Sequence, residues 1–142
     1  MNMPFHGAKL ALFVGDDLAV ILRDNRPDIP WPDCWDMPGG GREGGETPLA
    51  CALRETHEEL GLIVPTEQVV WGKRFYSELG DKWFFAAHLE ASAATRIKLG
   101  NEGQRWALMS AETYMAHPKT ISHLADRLRC YLRAEQGNWS GT

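Results

Sequence analysis

The sequence predicts a single-domain α/β (α+β) sandwich over residues 1–142, a sheet of mixed strands with helices on either side. Five short runs of β-branched, aromatic and aliphatic residues are bounded by turn residues, as strands are. Two longer segments, one mid-chain and one near the C-terminus, repeat their apolar residues at helical spacing. A chain of 142 residues is long enough for one domain with a real core, and no internal repeat or low-complexity linker divides it.

Ala8–Val14 and Leu18–Asp24 read as strands joined by a Gly-Asp-Asp turn. The following "NRPDIPWPDCWDMPGGG" is dense in proline and glycine and predicts a long irregular surface loop, a feature that is often functional. A helix then starts at Thr47 as N-cap with Pro48 in the first helical position, and Gly61 stops it. Gln68–Glu78 and Lys82–Glu90 read as strands about an "LGD" turn, and Gln104–Ser110 as a short one. Ser110 caps a short helix in "SAETYMA". "KTISHLADRLRCYLRAEQ" is a longer helix with Ile121, Leu124, Leu128 and Leu132 on one face. The final "GNWSGT" is expected to be poorly ordered.

A net charge of −4 and a pI near 5.7 argue against a broad, non-specific grip on nucleic acid, and no stable nucleic-acid partner is expected. Cys34, Cys51 and Cys130 are odd in number and match no zinc spacing, so free thiols in a reducing cytoplasm are expected. The N-terminus lacks the basic start of a signal peptide, and no apolar run is long enough to span a bilayer. The expectation is therefore a soluble, cytoplasmic protein with no membrane partner.

The most informative stretch is "GGREGGETPLACALRETHEELGL", Gly40–Leu62. At about 100° per residue, Leu49, Ala52, Leu53, Thr56 and Leu60 share the face that packs on the sheet. Arg54, Glu55, Glu58 and Glu59 share the adjacent face. Carboxylates at i, i+3 and i, i+4 repel by a few tenths of a kcal/mol per pair, and the C-terminal half of a helix disfavours anions further. A hard divalent cation offsets that cost, because Mg²⁺ takes carboxylate oxygens together with substrate phosphates. The preceding "MPGGGREGGE" adds a glycine-dense loop whose backbone can approach a metal or phosphate closely.

The spacing of Gly40, Glu46 and "RETHEELGL" resembles the Nudix box, G-x5-E-x7-R-E-U-x-E-E-x-G-U with U bulky and apolar. Gly40, Glu46, Arg54, Glu55, Glu58, Glu59, Gly61 and Leu62 match. Thr56 departs from the pattern, but on the sheet side, where it alters packing rather than chemistry. The resemblance implies a Nudix-type α/β/α sandwich with a mixed central sheet. It also implies Mg²⁺-dependent hydrolysis, with Mn²⁺ able to substitute, of a nucleoside diphosphate linked to a group X, and a homodimer as the default assembly. Glu55, Glu58 and Glu59 are the implied metal ligands, with the carbonyl of Gly40 or Gly39 adding another. Arg54 is expected to brace a carboxylate within the catalytic set, and Glu46 to tie the loop to the helix start.

The general base is either Glu58 or Glu102, the latter in "LGNEGQRWALMS" before Trp106. Substrate contacts are assigned to Arg23, Trp35, Gly39 and Glu46. Phe75, Trp83 and Trp106 are further aromatic candidates for stacking a base, and Asp33 and Asp36 for hydrogen-bonding a purine edge. His57 and His123 have no ligand partner at sensible spacing. The expected substrate is a nucleoside triphosphate, oxidised forms included, giving a nucleoside monophosphate and pyrophosphate. ADP-ribose or a nucleotide sugar is the alternative substrate, and a non-catalytic nucleotide sensor the alternative function. The "PGGG" loop differs from the "PQGG" usual in bacterial RNA-cap-type members of the family.

Overall fold

Alternation along the first strand sets the architecture. The computed structural model describes residues 4–78 and 80–134; the expected disordered tail and the last residues of the expected C-terminal helix lie outside that range. In β1 (Gly7–Val14), Leu10, Leu12 and Val14 enter one apolar cluster, and Ala11 and Phe13 enter another on the opposite face. A strand buried on both faces needs a helical layer on each, and the chain supplies both. Helix α1 (Pro48–Leu60) covers the Leu10 face through Cys51, Ala52 and Leu60. Helices α2 (Ala111–Ala116) and α3 (Ser122–Ala134) cover the Phe13 face through Tyr114, Leu124, Leu128 and Tyr131. Each fully buried Leu or Phe contributes about 1.5–3 kcal/mol, which anchors the sandwich at its centre.

The sheet runs β3-β2-β1-β6-β5, with β4 also paired to β1 and β7 to β2. The strands are β2 (Asp17–Leu22), β3 (Trp35–Asp36), β4 (Gly39–Gly41), β5 (Val69–Phe75), β6 (Lys82–Leu89) and β7 (Arg105–Met109). β1 is parallel to β6, from Gly7↔Lys82 to Val14↔Leu89, and the other pairings are antiparallel, so the sheet is mixed. β7 takes one edge of β2 along Leu18–Leu22. β3, paired at Ile21 and Leu22, therefore lies on the edge that β2 shares with β1 near the turn. β1 and β2 pair only at Phe13↔Leu18 and Val14↔Asp17 before splaying. The segment Trp35–Gly41 fills the gap, β3 on β2 and β4 on β1.

That wedge corrects the expectation of a wholly irregular loop. Its glycines do not prevent pairing; they permit it, because a side chain at Gly39 (φ 136°) would collide with the backbone of Ala8 and Lys9. Among the described residues, no helix is long and apolar enough to cross a membrane.

Candidate functional site

Helix α1 is capped as its sequence requires. Thr47 Oγ1 accepts a hydrogen bond from the Ala50 N–H, Pro48 opens the helix, and Gly61 closes it at φ 70°. Thr56 is fully buried on the sheet side and donates its hydroxyl to the Ala52 carbonyl, so the one departure from the family pattern is satisfied within the helix. The adjacent face of the helix is left to Arg54, Glu55, Glu58 and Glu59.

Arg54 is the organiser of this face. Its guanidinium donates two hydrogen bonds to Glu46, at 2.9 Å each, one to Glu55 at 2.9 Å, one to Glu58 at 3.1 Å and one to the Gly41 carbonyl at 3.0 Å. Glu43 adds a looser, exposed ion pair at 3.4 Å. The bidentate bond holds the Glu46 carboxyl down at about 2, far below the ordinary range, and the Arg54 guanidinium is held correspondingly more basic. Glu46 also accepts from the Glu43 N–H at 2.8 Å, which closes the loop onto the helix start. Glu46 and Arg54 thus fix the position of other groups.

Glu59 sits differently. One oxygen accepts from the Gly39 N–H at 2.8 Å, tying the helix to the wedge. Burial pushes its carboxyl up to about 7. The neighbouring Lys9 and the Gly39 N–H oppose that rise, while Asp36 and Glu55 add to it. The Glu55 carboxylate lies against the Cα of Gly40, close enough that a Cβ there would stand 2.7 Å from it. The Gly39 carbonyl accepts from Lys9 Nζ at 3.1 Å, and the Gly40 carbonyl, in register with Ala8 of β1, is touched by the Cys51 thiol at 3.5 Å. Burial raises that thiol to about 11, which leaves it unreactive.

Glu102 reaches this group through the C-terminus of α1. The carbonyls of Glu59 and Leu60, unpaired within the helix, accept from the N–H groups of Gly100 and Lys98. Only glycine fits at 100, where a side chain would strike the Glu58 carbonyl. The docked loop brings Glu102 into one cleft with Glu55, Glu58 and Glu59. Among the described residues, no three of these acids converge tightly enough to form a ready cation cage, because Arg54 draws Glu55 and Glu58 toward itself. The donor set nevertheless suits a hard dication: every group is an oxygen, and Glu59 is a buried carboxylate that gains from a positive neighbour.

The groove continues past Glu59 and Glu102 to Arg23 and Asp36, then along the sheet face beneath α3. Asp36 is 4% exposed and fully committed. It accepts from Lys9 at 3.1 Å, Arg23 at 3.0 Å and the Met37 N–H at 2.8 Å, which leaves no edge for a purine. Asp33 is likewise bound, to Lys119 and Gln104, both at 2.8 Å. Arg23 remains beside the groove, held by Asp36 and the Pro30 carbonyl.

Trp35 requires a correction. It is 5% exposed in the α2/α3-side core, between His117 and Arg105, so its ring offers no face for stacking. Phe75, Trp83 and Trp106 are half-buried against the two cores as well. The aromatic side chain that does line the groove is Trp31. It is 43% exposed, with a left-handed φ of 54°, and its ring lies 5.7 Å from that of His123. Its position between two prolines in a long loop was the available signal. His57 is exposed on the helix and lines none of these clefts.

A family model for the NUDIX domain matches residues 5–128. An RNA pyrophosphohydrolase of Gluconobacter oxydans is 44% identical over 62 residues, covering 43% of this chain and 35% of that protein. An RNA pyrophosphohydrolase of Cereibacter sphaeroides is 30% identical over 119 residues, covering 68% and 71%. Among solved structures, a bifunctional NMN adenylyltransferase/ADP ribose pyrophosphatase from Francisella tularensis, complexed with AMP and a Mn ion, superposes with a TM-score of 0.75. It is 18% identical, with 94% of this chain and 42% of that one covered. The superposition shows a shared fold. The chain belongs to the NUDIX domain family of pyrophosphohydrolases.

Proposed function

We propose that the chain hydrolyses a phosphoanhydride bond in a nucleoside diphosphate linked to X, with a nucleoside triphosphate as substrate and a nucleoside monophosphate and pyrophosphate as products. The observation that carries this is the gathering of Glu55, Glu58, Glu59 and Glu102 along one cleft; a smaller cavity lined by Glu59, Glu102, Arg23 and Asp36 lies between it and a groove of about 520 Å³, a size suited to a nucleotide. Glu55, Glu58 and Glu59, with the Gly40 carbonyl, would hold Mg²⁺, for which Mn²⁺ can substitute. A dication there neutralises phosphate oxygens and makes an attacking water more acidic.

The chain's own residues do the rest. Water adds to phosphorus, its proton passes to Glu102 or Glu58, and the anhydride P–O bond breaks with its electron pair leaving on the departing phosphate. Arg54 and Glu46 hold the carboxylates and the glycine loop in place, and Gly39 holds Glu59. Arg23 lies where a phosphate or base edge would pass. The three cysteines are unpaired, in keeping with action in a reducing cytoplasm.

A second substrate, the 5′-triphosphate end of an RNA, is favoured by the 30% identity to RNA pyrophosphohydrolases. A screen separates the two. Nucleoside triphosphates, ADP-ribose, nucleotide sugars, dinucleoside polyphosphates and a 5′-triphosphorylated oligonucleotide are incubated with Mg²⁺, and the products identified. Pyrophosphate released from a nucleoside triphosphate is the expected outcome. Release from the oligonucleotide alone selects the RNA end, and no Mg²⁺-dependent release from any of them contradicts the proposal.

A further inference from the structure

The end of the groove remote from the acids is cationic in a chain whose net charge is −4. Lys9, Arg23, Lys82, His123 and Arg127 line it, and Asp36 is the sole carboxylate among its lining residues. Lys9 and Arg23 both bind Asp36, so that acid is already shared. Lys82 and Arg127 make no ion pair and no side-chain hydrogen bond with any described residue. Arg127 is instead stacked over the Phe75 ring, 4.9 Å from its centre. Both are half-buried, and burial lowers the basicity of each; for Lys82, Arg127 and Lys9 lower it further. His123 stands at the rim against Trp31, and burial followed by Arg127 lowers its basicity too, so near neutral pH it contributes a hydrogen-bonding ring rather than a charge.

Two like charges held together in a partly desolvated wall repel, and no described residue pairs with them. As the acids of α1 call for a cation, these two cations call for an anion. The sheet register gives the separation. Lys82 and Gly41 are the two partners of Gly7, on neighbouring strands either side, which places their backbones about 10 Å apart. Gly40, next in β4, is the residue against which Glu55 rests. One nucleoside spans such a distance.

We propose that Lys82 and Arg127 bind a second anionic group of the substrate, a phosphate carried on the nucleotide's sugar, about one nucleoside away from the diphosphate at the acidic end. This rests on the hydrolase function proposed above, because it places the diphosphate at Glu55–Glu59. Within that function it favours nucleotides that bear a further phosphate on the sugar over those that carry the 5′ polyphosphate alone. The phosphate is either a monoester on a mononucleotide or the first internucleotide diester of a chain.

The test is calorimetric binding at low salt with Mg²⁺ present; none of the probes contains a phosphoanhydride bond, so binding is read without turnover. The probes are adenosine 5′-monophosphate, adenosine 3′,5′-bisphosphate and the 5′-phosphorylated dinucleotide pApA. The wild-type chain is expected to bind at least one of the last two ten or more times more tightly than the monophosphate. In Lys82→Met/Arg127→Met that ratio is expected to fall below two. Preference for the bisphosphate identifies the monoester, and preference for pApA the diester. If the double variant does not fold, Lys82→Met alone, which leaves the Phe75 stack intact, is expected to cut the ratio at least threefold. Equal affinities for all three probes in the wild type, or a ratio that survives the substitutions, overturns the proposal. A preference that persists while no substrate is hydrolysed upholds this subsite and removes the hydrolase function. Turnover of nucleoside triphosphates with equal probe affinities does the reverse.

Discussion

Glu59 carries an unusual burden for a surface-helix glutamate, because its carboxyl is buried and raised to about 7 while Lys9 and the Gly39 N–H only partly compensate. Between its ordinary value near 4.5 and about 7, the folded chain holds a proton that the unfolded chain has released. Its contribution to stability is therefore greatest at low pH and is lost as pH rises through that window. His123 acts oppositely below its ordinary 6.5, since its basicity is lowered on folding, and the difference between wild type and Glu59→Gln isolates the glutamate. In EDTA, the wild-type melting temperature relative to that of Glu59→Gln is expected to fall by several degrees between pH 5 and pH 7.5. A constant difference across that range would show that Glu59 is not buried in its acid form. The Glu46–Arg54 pair adds stability that is present above about 4.5 and lost as pH falls toward 2, below the Glu59 window.

At the scale of elements, α1 was the most legible part of the chain because its instructions are local. Thr47, Pro48 and Gly61 mark its ends, and the wheel separates buried Ala52, Thr56 and Leu60 from the acids. Thr47→Ala is expected to cost about 1 kcal/mol of stability in denaturant titration, with catalysis unchanged once folded. The wedge was illegible for the converse reason. β3 and β4 are two and three residues long and exist only because β1 and β2 splay apart and leave edges to pair with. No periodicity survives in so few residues, and the parallel β1–β6 pairing likewise joins segments far apart in sequence. Trp35 is buried while Trp31 lines the groove, because a loop tryptophan's burial depends on that wedge.

Two glycines place the chemistry of these elements. Gly40→Ala puts a methyl group against the Glu55 carboxylate, and Gly100→Ala forces the loop carrying Glu102 away from the Glu58 carbonyl. Each variant is expected to lose at least about tenfold in kcat/KM, a misplacement cost of over 1 kcal/mol at the reacting groups, while keeping a cooperative melt. Wild-type kinetics in Gly100→Ala would separate Glu102 from the site.

Across the whole molecule the groove has a polarity that composition conceals. Acids gather where α1, the wedge and the 97–104 loop meet, and Lys82 and Arg127, which form no ion pair among the described residues, stand at the other end on β6 and α3. The box residues of α1 were readable in sequence because one helix carries them at fixed spacing. The cationic end was not readable, since Lys82 and Arg127 come from elements 45 residues apart that only the fold brings together. The central claim is that the acid cluster is the hydrolytic centre and is completed by a divalent ion. The most direct measurement is Mg²⁺-dependent pyrophosphate release by the wild type, Glu55→Gln and Glu59→Gln, each confirmed folded by circular dichroism. The account predicts turnover that needs Mg²⁺ in the wild type and falls by at least about a hundredfold in both variants. Wild-type rates in both variants, or wild-type turnover undiminished in EDTA, would contradict it.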